Sequence, residues 1–187
     1  GRNSKRASVV RQVLQDACIA SEIFQITDEP TTDIVVEGVA FARAQDVDCV
    51  IGFGGGSVID AGKAIAALLT NWGTPLDYLE VIGKGRPITR ASAPYIAIPT
   101  TAGTGAEVSK NAVLRSPEHR VKVSLRSPLM LPRVALVDPS LTLSVPAAIT
   151  ASTGLDAFTQ VIEPFVSHLA NPLIDALCRD GITRAAH

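Results

Sequence analysis

Three consecutive glycines and a serine, Gly54 to Ser57, form the segment of this chain best suited to hold a ligand. They follow the β-branched pair Val50 and Ile51 and lead into Val58-Ile59-Asp60-Ala61-Gly62-Lys63, a helix-forming stretch. Strand, glycine turn and helix start in that order build an anion pocket. No Cβ obstructs the approach of a phosphate, and the first helical turn offers unpaired N–H groups at the positive end of its dipole. Ser57 could cap that helix and also give its hydroxyl to the anion. The plain alternative is a tight strand-to-helix turn with no ligand. Two common phosphate motifs do not fit. A P-loop ending in Gly62-Lys63 would need glycine where Ser57 stands and a hydroxyl where Ala64 stands. A dinucleotide fingerprint through Gly52 and Gly54 would also need glycine in place of Ser57.

A second segment, Pro99-Thr100-Thr101-Ala102-Gly103-Thr104-Gly105-Ala106-Glu107, places hydroxyls and glycines directly after the apolar run Tyr95 to Ile98. Ligands of open parallel sheets bind outside the carboxyl ends of the strands. Two polar, glycine-bearing strand ends in one sheet can therefore face the same crevice. Threonine hydroxyls there suit phosphate oxygens or the amide of a nicotinamide, although they could also simply cap a short helix.

The elements that must carry these segments alternate. Helical spacing runs from Arg6 to Ile19, and Glu22 to Ile26 reads as a short strand. Pro30 and Thr31 to Asp33 start a second helix, Asp48 to Gly52 reads as a buried strand, and the helix after the glycine turn runs from Ser57 to about Leu69. Trp72 to Gly85 is a loop holding one short helix. Tyr95 to Ile98 is a strand, residues 113–115 and 121–123 make a hairpin around Ser116-Pro117-Glu118, and Val134 to Val137 is a further strand. From Pro146 onward the pattern is helical. The expected fold class is α/β: a Rossmann-like parallel-sheet nucleotide-binding domain over 1–143, followed by the start of an all-helical domain over 144–187.

Composition narrows the function classes. Of 187 residues 47% are apolar and 19% charged, an ordinary soluble α/β balance, and the formal net charge of −1 gives no electrostatic case for nucleic acid or an anionic membrane. No apolar stretch reaches spanning length. Cys18, Cys49 and Cys178 fit neither a disulfide framework nor a zinc spacing and read as thiols in a reducing cytoplasm. The first residues given do not read as a signal peptide.

The pair Gly-Gly-Gly-Ser-x-x-Asp at 54–60 and Pro-Thr-Thr-Ala-Gly-Thr-Gly-Ala-Glu at 99–107 resembles the iron-containing (group III) alcohol dehydrogenase family of the dehydroquinate synthase-like superfamily. Val137-Asp138-Pro139 and Ala151-Ser152-Thr153-Gly154-Leu155-Asp156-Ala157 extend the match in the same order. The resemblance covers essentially the whole chain. It implies a longer parent protein, so that the chain looks like a fragment lacking the family's first strand and most of its helical domain.

By that resemblance Gly55, Gly56 and Ser57 would hold the cofactor pyrophosphate, with Asp60 close by. Thr100, Thr101 and Thr104 would line the cleft near the phosphates and nicotinamide. Asn111, Val113 and Lys122 occupy positions that contact the cofactor in the family, and Lys122 reads equally well as a solvated strand charge. NAD-preferring relatives carry an acidic residue where Gly1 stands. Here Gly1 is followed by Arg2, Asn3, Ser4, Lys5 and Arg6, so nothing acidic repels a 2′-phosphate and NADP is favoured over NAD.

The family also binds a divalent metal, usually iron or zinc, whose first ligands are an aspartate and a histidine four residues later on one helix face. Asp156 matches, but Gln160 stands where the histidine belongs, and an amide oxygen is a poor ligand for such a metal. His119 and His168 sit in no matching motif. Pro164 denies the Gln160 carbonyl its i+4 donor, so a bend is expected there.

The resemblance implies an NAD(P)-dependent, metal-assisted alcohol dehydrogenase or aldehyde reductase acting on a small alcohol or carbonyl compound, cytoplasmic and dimeric, with no general base nameable from these residues. The alternatives are a maleylacetate reductase-type or hydroxyacid–oxoacid transhydrogenase-type relative, or a nucleotide-binding protein with an impaired metal site.

Overall fold

A computed structural model describes residues 4–186, with side chains from residue 7 onward. Gly1, Arg2 and Asn3, on which much of the NADP expectation rests, lie outside the described residues. The chain divides into two compact units, residues 1–99 with 106–137, and residues 100–105 with 138–187.

The first unit is the expected parallel α/β arrangement. Strand β1 (Val50–Gly54) lies beside β2 (Tyr95–Pro99), which lies beside β5 (Val134–Ala135), and both pairings are parallel. The register sets Gly54 opposite Pro99, so β1 and β2 reach their carboxyl ends at the same level. Helix α3 (Gly56–Thr70) leaves β1 at once, and Ile59 and every residue from Ala61 to Leu68 are buried. A helix apolar on all sides has to be covered on all sides, and α2 (Thr32–Ala44) and the strands supply that cover. Val35 and Val39 of α2 join Ile65 and Leu68 of α3 in one core cluster, while Ile59 and Ala66 meet Tyr95 and Ala97 in a second. The N-cap Thr31 accepts the Ile34 N–H at 3.1 Å, which fixes where α2 begins. The short helix α4 (Pro75–Tyr78) sits inside the expected loop. The hairpin β3 (Asn111–Ser116) and β4 (Val121–Arg126) forms a separate antiparallel pair whose inner residues Ala112, Leu114 and Leu125 complete the first cluster.

Three expectations about this unit need correction. Glu22 to Ile26 is not a strand: it carries no ladder among the described residues, and it sends Ile26 and Phe24 inward from irregular backbone, Ile26 buried and Phe24 against Phe41 at 5.6 Å, while Ile23 stays exposed. A short apolar run does not report whether a partner strand is there to pair with. The first helix, α1 (Ser4–Asp16), ends before Ile19 because Cys18 takes φ 57° and Ile19 N–H turns back to Leu14 O at 2.8 Å. The strand expected over Val134–Val137 pairs only at Val134 and Ala135.

The second unit contains α5 (Ala147–Val166) and α6 (Pro172–Ala185), packed on each other. Asn171 caps α6 by accepting the Ile174 N–H at 3.1 Å, and Gly181 admits Val161, since a Cβ there would lie 2.8 Å from Val161 Cγ1. Cys178 is the one buried residue of the two helices, and Leu155, Leu169, Leu173 and Leu177 are exposed among the described residues. Pro164 lies in the last turn of α5, which ends two residues later at Val166. No described helix is long and apolar enough to cross a membrane.

Candidate nucleotide-binding site

The glycine turn follows from what surrounds it. Gly55 is the N-cap of α3 in extended conformation, and its carbonyl accepts from Val58 N–H and Ile59 N–H at 2.9 and 3.1 Å. Helix geometry leaves the N–H groups of Gly56 and Ser57 without an intrahelical acceptor. Ser57 is therefore the second residue of the helix and not its cap, a correction to the expected capping role; its hydroxyl is free of that duty. Gly52 and Gly62 serve a different purpose. A Cβ on Gly52 would collide with Tyr95 Oη, and one on Gly62 would sit 2.8 Å from the same atom. The two glycines open a slot for the buried Tyr95 ring, whose hydroxyl donates to Ile59 O at 2.9 Å. Burial first, and then the Asp60 charge, push the Tyr95 phenol far above its ordinary range, so it stays a neutral donor.

One turn further along α3, Asp60 Oδ2 accepts the Val113 backbone N–H at 3.0 Å. Its Oδ1 lies 3.5 Å from Lys63 Nζ. Lys63 is wholly buried and donates to Ala106 O at 2.6 Å, to Ser109 Oγ at 3.1 Å and to Asn111 O. Burial raises the Asp60 carboxyl above the usual carboxylate range, against the opposing pull of the Val113 N–H and of Lys63. Burial likewise lowers the Lys63 ammonium, against the charge of Asp60. The network ties β3 to α3. Asn111 Oδ1 is buried without a hydrogen-bond partner.

The structure thus brings Gly55, Gly56, Ser57, Asp60, Asn111 and Val113 together in one unit. Lys122 lies there too, but its ammonium pairs with Glu29 Oε1 on the exposed surface. Thr100, Thr101 and Thr104 follow β2 directly in the chain and belong to the second unit. Their loop turns at Gly103 and Gly105, with φ 147° and 60°, values that a side chain would strain, and a Cβ on Gly103 would also run into Thr153 O. Gln160 Nε2 donates to Gly103 O at 3.0 Å and Thr104 O at 3.3 Å. Asp156 is exposed one turn before it on α5.

The donors among the described residues do not by themselves complete a metal site. Among the described residues no three His, Cys, Asp or Glu side chains cluster with metal-binding geometry. Asp156 offers one carboxylate, and Gln160 has turned its amide nitrogen to two carbonyls, which leaves only a weak oxygen donor. His119, with Nδ1 2.9 Å from Ser116 Oγ, and His168 are both exposed.

Two residues of this site, Lys63 and Tyr95, are missing from any motif reading of cofactor contacts. Lys63 carries a usable signal, a lysine amid the apolar run Ala61 to Leu68. Tyr95 carries little: its role depends on two glycines in other elements.

A parallel sheet whose strand ends in a glycine turn, with the next helix presenting its first N–H groups there, defines an α/β unit of the nucleotide-binding type. More narrowly, the chain belongs to the iron-containing alcohol dehydrogenase family, whose model matches residues 1–139. It is 41% identical to 4-hydroxybutyrate dehydrogenase of Cupriavidus necator over 83% of this chain and 40% of that protein. It is 42% identical to long-chain-alcohol dehydrogenase 1 of Geobacillus thermodenitrificans over 81% of this chain and 38% of that protein. Among solved structures, sulfoacetaldehyde reductase from Bifidobacterium kashiwanohense in complex with NAD+ superposes with a TM-score of 0.86 at 33% identity, over 96% of this chain and 48% of that one. The chain spans about half the length, or less, of the relatives it matches.

Proposed function

We propose that this chain is the cofactor-binding part of an NAD(P)-dependent alcohol dehydrogenase or aldehyde reductase acting on a small alcohol or carbonyl compound. The observation that carries the reading is the turn at Gly55, Gly56 and Ser57, level with the end of β2 and offering helix-start N–H groups, in a chain of this family. Those three residues would hold the pyrophosphate, with Asp60 fixing the hairpin nearby. Thr100, Thr101 and Thr104 would supply hydroxyls toward the phosphates and nicotinamide, and the unpartnered Asn111 Oδ1 and the Val113 region would complete the cradle. Lys122, held to Glu29, is the weakest of these candidates.

The cofactor chemistry is hydride exchange at the nicotinamide. NADP is the proposed preference, resting on the basic stretch Arg2 to Arg6 and on the absence of an acidic group there. A divalent metal, iron or zinc, belongs to the reading as a group to which Asp156 contributes one ligand; Gln160 is a poor second. The domain division at residue 143, a dimeric state and a cytoplasmic location belong to the same proposal.

The test is oxidation of NADPH and NADH by the protein with a panel of short aldehydes, alongside metal analysis. Turnover with a preference for NADPH supports the reading. Tight cofactor binding without turnover or metal would replace it by the second one, a nucleotide-binding protein with an impaired metal site, which the engagement of Gln160 with Gly103 and Thr104 favours.

A further inference from the structure

A carboxylate is an unexpected neighbour for a phosphate turn. Asp60 stands one helical turn beyond Gly56 on α3, and its charge opposes any anion drawn to the helix start. Lys63 cannot answer that charge by touching a ligand, since its side chain is wholly buried beneath the Ala106 to Asn111 segment. It can answer it from below, because its ammonium lies 3.5 Å from Asp60 Oδ1.

We propose that Lys63 is a positioning residue for the phosphate turn: it cancels the Asp60 charge from inside the protein, so that Asp60 can anchor β3 without repelling the cofactor pyrophosphate. The inference rests on the reading of Gly55 to Ser57 as the pyrophosphate site. The division of labour is visible in the bonds. Asp60 Oδ2 takes the Val113 N–H, which fixes the hairpin to α3, while Oδ1 faces the ammonium. Lys63 reaches the same hairpin independently through Asn111 O, and the segment leading into it through Ser109 Oγ. Hairpin, helix start and charge balance are therefore set by one pair, a buried Lys63 and a partly buried Asp60. A neutral residue in place of Lys63 would leave a partly buried carboxylate beside the turn with no cation to balance it.

The experiment is a set of four proteins, wild type, Lys63→Met, Asp60→Asn and the double variant, titrated with NADH and NADPH by nucleotide fluorescence. Adenosine, which carries no phosphate, is followed in parallel by ligand NMR. Lys63→Met is expected to weaken dinucleotide binding at least about tenfold, with adenosine nearly unmoved and the double variant recovering most of the loss. Asp60→Asn keeps an acceptor for Val113 N–H and the shape of the side chain, and in it Lys63 keeps its acceptors at Ala106, Ser109 and Asn111; the folding of each variant is checked by circular dichroism before titration. It is expected to bind dinucleotide as tightly as wild type or more tightly, with a steeper loss on adding salt. The proposal is overturned if Lys63→Met weakens adenosine and dinucleotide equally, if the double variant binds no better than Lys63→Met, or if Asp60→Asn weakens dinucleotide binding. Failure of the wild type to bind either dinucleotide overturns the pyrophosphate reading itself, an outcome distinct from the other three.

Discussion

The glycine turn after β1 and the threonine loop after β2 begin at the same level of one sheet, yet they are held in opposite ways. The glycine turn rests on buried polar groups. Tyr95 donates to Ile59 O from one side, Lys63 and Asp60 tie α3 to the hairpin from the other, and residues 61–68 are buried without a break. The threonine loop is held by exposed Gln160 and by two glycines at positive φ. The helices grouped with it bury only Cys178. The glycine turn is thus the rigid half of this contrast, its geometry set before any ligand arrives, and the threonine loop the adaptable half.

The largest expected effect tests that contrast directly. Leu68→Ala empties a site that is 1% exposed in the first core cluster, and should destabilise the protein by about 2–5 kcal/mol. Leu155→Ala, at a position 67% exposed on α5, should stay within about 0.5 kcal/mol. Denaturant unfolding followed by circular dichroism measures both, and equal losses would erase the distinction between the two units.

The slot under the glycine turn comes next. Gly52→Ala places a methyl against Tyr95 Oη, and overpacking of this kind costs about 1–3 kcal/mol. Tyr95→Phe removes the atom struck and loses the bond to Ile59 O, a loss of about 1 kcal/mol. Because both changes meet at one atom, the double variant should be more stable than the sum of the two single losses predicts. Strict additivity in thermal melts would show that the ring moves aside and that Gly52 is not reserved for it.

Much of this arrangement was legible in the residue order, and the exceptions share a cause. The strand Tyr95 to Pro99, the helix after the glycines and the hairpin around Ser116 are local patterns, and each stands where periodicity and turn residues place it. Glu22 to Ile26 has the apolar content of a strand, but strand formation needs a partner, which no local pattern reports. Ser57 has the chemistry of a cap; the helix starts two residues earlier than its type suggests, with Gly55 in the cap position. Lys63 was the hardest to read. Its acceptors at Ala106, Ser109 and Asn111 lie more than forty residues away, and only the folded hairpin brings them to it. For the same reason Gln160, read as a stand-in for a metal-binding histidine, could not be seen from spacing to hold the carbonyls of Gly103 and Thr104.

That contact gives a smaller prediction on the adaptable half. Gln160 is exposed, so Gln160→Ala should cost less than about 1 kcal/mol of global stability. Its effect should instead be local, as faster amide exchange over residues 103–105 with exchange in α3 unchanged. Unaltered exchange in the loop would mean that Gly103 and Gly105 hold its shape without the amide.

The smallest effect is electrostatic and belongs to the surface of the rigid half. Asp77 accepts from Lys84 Nζ at 2.7 Å and from Thr74 N–H at 2.9 Å, and these partners, Lys84 first, pull its carboxyl down to about 2. A carboxyl whose folded pKa lies below its unfolded value contributes stability in full above the unfolded pKa of about 3.9. That contribution is lost as pH falls from there through about 2. Its partner Lys84 is exposed, so salt and solvent screen the pair. The loss should appear as fraying of α4 and not as unfolding of the core. Following the amide resonances of residues 74–79 between pH 5 and pH 2 should show α4 loosening before α3 does. Asp77→Asn should flatten that response while leaving the buried Asp60–Lys63 pair and the glycine turn untouched. If α3 and α4 titrate together, the short helix is part of the same cooperative unit as the phosphate turn, and the rigid half extends further than the buried network alone implies.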